Sequence, residues 1–198
     1  MLTAALPAQP IKGKPGTFDF YLLTLSWSPQ YCYSNPSAVE CTGNNHYGFI
    51  VHGLWPEMSD GHYPQNCSTE RGPANTDSVA TIMPDQVLIG HEWTKHGTCS
   101  GLGPDGYFQM IAKVFRAITI PAEFQRPASS RNWKPSDIKQ AFEQANPKIS
   151  DGEIAVNCPQ NALGGVQICL TKSGDPMKCP GNTVRDCRAG SIQVRPVR

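Results

Sequence analysis

Two histidines, a glutamate and a lysine fall within six residues at His91-Glu92-Trp93-Thr94-Lys95-His96, in a chain with only five histidines. Drawn as a helix with Glu92 at zero, His91 falls at about −100°, Lys95 at about −60°, Cys99 at about −20° and His96 at about +40°. Two imidazoles, a carboxylate and an ammonium then share one side, Cys99 could staple that side down, and Thr94 points away. Such a group is costly to bury unless each charge is paired or put to use. The plain alternative is a solvated helix face laced by i,i+3 and i,i+4 ion pairs.

The surrounding pattern supplies elements to hold that segment. Residues 18–27 read as a strand rich in aromatics and leucine, ended by Pro29. A second strand is expected at 47–52, closing on His52, with Pro56 as its stop. A histidine after apolar neighbours is by itself a common strand-end residue. Residues 56–81 read as loop, with turns at Ser59-Asp60-Gly61 and Arg71-Gly72-Pro73. Apolar residues at 107, 108, 111, 114, 115 and 118 predict an amphipathic helix. Another is expected after Pro135, with Ser136 as N-cap and Pro147 as its limit. Three segments, 153–158, 165–170 and 191–195, alternate with period two and predict antiparallel strands laced by four cysteines. The fold class is α+β: an antiparallel-rich central sheet with packed helices, stabilised by disulfides.

Composition narrows the classes. At 198 residues the chain suits one domain, expected over 17–198, behind a flexible Ala/Pro/Gly-rich segment at 1–16. Net charge is +1, so no global field draws the protein onto a polyanion, and any such ligand must meet a local site. No apolar run reaches the ~18 residues of a membrane span. The first sixteen residues lack a basic region followed by an apolar run and read as a mature start. Eight cysteines with no Cys-x2-Cys pair argue for four disulfides in an oxidising compartment rather than zinc, although about 105 pairings fit the spacing alone. Asn66-Cys67-Ser68 matches the N-glycosylation pattern.

Two segments stand out together: His52-Gly53-Leu54-Trp55-Pro56, and His91 through Cys99 in the form His-Glu-Trp-x-Lys-His-Gly-x-Cys. In both, the chain resembles the ribonuclease T2 family of secreted acid endoribonucleases. The likeness extends to Ser26-Trp27-Ser28-Pro29 and to the C-terminal cysteines. It implies a secreted or periplasmic enzyme, monomeric, needing no protein partner, cofactor or metal, and acting on single-stranded RNA with low base specificity. The catalytic set it implies is His52, His91, Glu92, Lys95 and His96. His96 matches the position usually given the base, His52 the acid, and the other three bind phosphate and stabilise the transition state. Trp55, Glu57 and Tyr63 match the Trp, Asp and Tyr that hold a nucleobase in fungal members. Glu57 departs from their Asp by one methylene. Leu88 stands where some relatives use Phe for a second base. The implied disulfides are Cys32–Cys41, Cys67–Cys99, Cys158–Cys187 and Cys169–Cys179.

The residues agree with that chemistry. Cleaving RNA through its own 2′-OH needs a base for that proton, an acid for the departing 5′-oxygen, and positive charge on the growing oxyanion. Histidine, titrating near ~6.5, suits both transfers. A histidine on a strand and another on a helix can flank one phosphate. Rival readings are a metal site built from His52, His91, Glu92 and His96, a nucleophilic Cys99, which requires a free thiol, and a binding or toxin-like protein on this scaffold.

Overall fold

Residues 20–27 alternate between two destinations. Tyr21, Leu23, Leu25 and Trp27 enter the main core, while Phe20 and Leu22 join a small second cluster with Cys169 on the opposite face. The structure, a computed structural model, describes residues 9–42, 46–181 and 183–197. In chain order its strands are β1 (Gln9–Lys12), β2 (Phe20–Trp27), β3 (Phe49–Glu57), β4 (His62–Gln65), β5 (Arg131–Trp133), β6 (Ile154–Asn157), β7 (Gly165–Leu170) and β8 (Ile192–Val194). The helices are α1 (Ser28–Ser34), α2 (Gln86–Lys95), α3 (Gly103–Arg116) and α4 (Pro135–Ala145).

The central sheet runs β3-β2-β7-β6, antiparallel throughout. Its core face is covered by α3, through Tyr107, Phe108, Ile111 and Val114, and by α4, through Ile138 and Phe142. Tyr107 donates to the Leu54 carbonyl at 2.9 Å, fixing α3 to β3. The fold is α+β as the pattern predicts. Among the described residues no helix is long and apolar enough to cross a membrane.

All four disulfides join the expected partners, and no described cysteine is free. Cys99 is therefore not a thiol nucleophile.

Several local expectations give way. Pro56 does not stop β3, which runs on to Glu57; β3 is an edge strand, where a missing N–H is tolerated. The expected loop after it holds β4. Residues 1–8 of the segment expected to be flexible lie outside the described residues. Gln9–Lys12 instead pair in parallel with β4, and the Gly16 N–H donates to the Cys99 carbonyl. Ser136 is not the N-cap of α4: Pro135 already occupies the first turn, where its lack of N–H costs nothing, and Lys134 caps. β8 pairs with β5 in a separate ribbon rather than with the central sheet.

Candidate active site

The position of His52 follows from an irregularity in β3. Thr24 pairs with Gly53 and Leu25 with Val51, so His52 is the extra residue of a β-bulge. A regular strand would put Val51 and Leu54, three apart, on opposite faces. The bulge lets both enter the core, each fully buried. It turns His52 outward with Gly53, Trp55 and Glu57, the same face as Leu22, Thr24 and Ser26. His52 Nδ1 shares a hydrogen bond with Ser26 Oγ at 3.1 Å.

The other wall is α2. Asp85 caps it by accepting from the Val87 N–H at 2.8 Å. The helix ends at Lys95, and residues 97–99 tighten into a 3-10 turn. The continuous helix expected through Cys99 is thus broken after His96. Gly97 sits at the break because a Cβ there would strike Trp93 and Tyr107. Cys67–Cys99, the Asn66 N–H on the Lys95 carbonyl and the Cys67 N–H on Thr98 Oγ1 tie this turn to the segment after β4.

The two walls meet at Glu92 and Trp55. The Trp55 indole N–H donates to Glu92 Oε2 at 2.7 Å, and His52 Nε2 stands 3.6 Å from Glu92 Oε1. Trp55 touches both imidazoles. It stacks on His96 with centroids 5.1 Å apart and meets His52 edge-on at 5.5 Å. Tyr63, from β4, lies 6.3 Å from His96. Gly53 makes the approach possible, since a Cβ there would collide with the Glu92 carboxylate and the Trp55 nitrogen.

Burial sets the charges. Glu92 is 1% exposed, and burial raises its carboxyl to about 7 against the opposing Trp55 hydrogen bond and Lys95. His96, 4% exposed, is lowered to about 3 by burial, then by Lys95, His91 and His52. His52 is lowered less, by burial, His91 and Lys95. Burial alone pushes Glu57 up to about 8. His96 Nδ1 and Glu92 Oε1 are buried without a hydrogen-bond partner, the kind of orphan that asks for a functional reason.

A cleft of about 430 Å³ gathers His52, Trp55, Glu57, Tyr63, His91, Glu92, Lys95 and His96. Leu88 does not line it: this side chain packs against the main core. The cleft also takes Asn157 and Gln167 from the sheet, and Thr183, Val184 and Arg185 from the segment after β7. Ser26, Asn157 and Gln167 share the parity of Leu22 across the register, a signal available only once strands are paired. Arg185 lies in an aperiodic stretch with no local signal. Among the described residues, the one His/Cys/Asp/Glu group with metal-like spacing is Cys32, Glu40 and Cys41, whose sulfurs are joined to each other. The rival ligand set of His52, His91, Glu92 and His96 does not converge in that way.

Residues 18–179 match the family model described as Ribonuclease T2 family. A ribonuclease of Aeromonas hydrophila is 34% identical over 173 residues, spanning 85% of this chain and 79% of that protein. Ribonuclease DdI of Dictyostelium discoideum is 34% identical over 203 residues, spanning 91% and 86%. The solved structure of RNase NT in complex with 5′-AMP superposes with a TM-score of 0.72 at 26% identity, covering 90% of this chain and 98% of the other.

Proposed function

The chain belongs to the ribonuclease T2 family of endoribonucleases, and on that premise we propose a metal-independent cleavage of single-stranded RNA with low base specificity. The reacting set is His52, His91, Glu92, Lys95 and His96. His96, held neutral, removes the 2′-OH proton. The 2′-oxygen bonds to phosphorus, the bond to the 5′-oxygen breaks, and protonated His52 gives its proton to that oxygen. The product is a 2′,3′-cyclic phosphate. Water then opens the ring with the histidine roles exchanged, leaving a 3′-phosphate. Lys95 faces the growing oxyanion, and His91, exposed at the rim, binds phosphate. Below about pH 7 Glu92 is a neutral acid, able to donate its proton to a phosphoryl oxygen while accepting from Trp55.

Trp55 and Tyr63 offer stacking surfaces, which accept any base. Glu57 meets the base edge, and below about pH 8 its carboxylic acid both donates and accepts, so several bases can satisfy it. The absence of Leu88 from the cleft leaves the second base without a dedicated apolar wall there. RNase NT was solved with 5′-AMP, which supports a nucleotide as the occupant of the matching cleft. Four disulfides favour an oxidising compartment, and the proposal extends to a secreted or periplasmic monomer with 17–198 as one catalytic domain.

The observation that carries this reading is one cleft lined by His52 from β3 and by Glu92, Lys95 and His96 from α2 and its end, with the buried Glu92 held by Trp55 and 3.6 Å from His52. The test is incubation with RNA homopolymers and single-stranded DNA in chelator, with product ends separated. Cyclic phosphate followed by 3′-phosphate, from RNA alone, is expected. Equal cleavage of DNA, or activity lost to the chelator, overturns the proposal.

A further inference from the structure

Beyond His52, β2 ends at Trp27, and the first residue of α1 lines a second cavity. Ser26 bonds His52, and Ser28, two residues further along the chain at the start of α1, lines a cavity of about 330 Å³ with Tyr33, Glu40, Tyr47 and Arg195. The Cys32–Cys41 disulfide closes the loop that walls it.

Its floor is polar and its rim is aromatic and cationic. Ser28 is 2% exposed, and its hydroxyl has the buried Glu40 carboxyl as its one polar neighbour and no further partner. Glu40 is also buried, its carboxyl raised by burial and then by Asp85, while the nearby Ser28 hydroxyl opposes the rise. At the rim the Arg195 guanidinium lies 3.5 Å from the Tyr33 ring centroid, and its Nε–H donates to Gln30 Oε1 at 2.7 Å. One face of Tyr33 is thus covered by a fixed cation, while the ring as a whole stays well exposed.

We propose that this cavity is a further RNA subsite, holding the base of a nucleotide beyond the cleaved dinucleotide on the leaving-group side. It rests on the reading of the cleft given above, in which His52 faces the departing 5′-oxygen; the cavity begins at Ser28, two residues along the chain from His52's own partner, Ser26. The open face of Tyr33 stacks the base, Ser28 and Glu40 meet its polar edge, and Arg195 takes the phosphodiester.

The test compares 2′-deoxy di-, tri- and tetranucleotides, which lack the internal nucleophile, by titration calorimetry, alongside cleavage of the matching ribo-oligomers. The longer deoxy ligands should bind at least about 5-fold tighter than the dimer, the low end for one stacked base. Tyr33→Ala and Ser28→Ala should each bring that ratio towards one while dimer binding and ribodimer cleavage stay unchanged. Tyr33→Ala, at a ring 66% exposed, should melt with the wild type, so a loss of the length effect there is not a folding defect. Binding that ignores length in the wild type, or a length effect that survives both substitutions, overturns the subsite. A length effect without cleavage of any ribo-oligomer upholds the subsite and overturns the cleavage mechanism.

Discussion

His52 and His96 are both held below the ordinary range of histidine, but to different depths, and that difference orders their proton traffic. A base must be free of its proton and an acid must carry one. With His96 lowered to about 3 and His52 lowered less, kcat/KM should rise through the first and fall through the second. Both limbs then lie on the acid side of about 6.5. A profile measured from pH 3 to 9 that climbs without a maximum contradicts the pairing. His52→Ala and His96→Ala should each lower kcat by about 10²–10⁴-fold, the usual worth of a placed proton transfer. Glu57→Ala should act otherwise. It sits among the groups assigned to the base, so the order of kcat/KM across four homopolymers should change while cyclic phosphate still forms. Equal losses on all four would show that Glu57 does not read the base.

At the scale of elements, the bulge in β3 and the turn after α2 set the distance between the walls. Gly53→Ala drives a methyl into the Glu92 carboxylate and the Trp55 indole. Overpacking of this kind costs about 1–3 kcal/mol, and displacement of ~1 Å at the site can cost ~100-fold in rate. A lowered Tm with a disproportionate fall in kcat is expected; a variant with wild-type kcat would show that the close approach is dispensable. Replacing Cys67 and Cys99 together by Ala should cost about 2–4 kcal/mol in a denaturant melt and loosen the 3-10 turn below His96. Alkylation of the unreduced protein should leave activity intact. The elements themselves were largely legible: β2, β7, α3 and α4 follow from period and breakers. The bulge was not, because a two-residue period cannot say where it skips. The helical wheel grouped His91, Glu92, Lys95 and His96 correctly, yet Cys99 reaches its partner from a 3-10 turn that the wheel did not contain.

For the molecule as a whole, buried carboxyls and buried imidazoles pull stability in opposite directions with pH. Glu92 and Glu57, raised when folded, contribute stability that is full below about 4.5 and is lost as pH climbs through about 7 and about 8. His96 and His52, lowered when folded, contribute stability that is full above about 6.5 and is lost as pH falls. Between about pH 6.5 and 8.5 only the carboxyls act, so Tm should fall across that window, and Glu57→Gln should flatten the fall. A Tm that rises there contradicts the burial of both groups. Disulfide partners came within reach through the family likeness; strand order did not, nor did Asn157, Gln167 and Arg185, which join the cleft by long-range pairing and by an aperiodic segment. Strand β1 was least visible, being a short parallel strand in a Pro-rich stretch. Its register sets Pro10 beside Tyr63, and the Gly16 amide is fastened to Cys99. The front of the chain is therefore a handle on one wall of the cleft. A fusion or tether pulling there would bear on the Tyr63 side of the nucleotide's bed and, through Cys99, on the turn below His96, while leaving the bulge that aims His52 untouched, so tension at that end reaches substrate affinity and the base together.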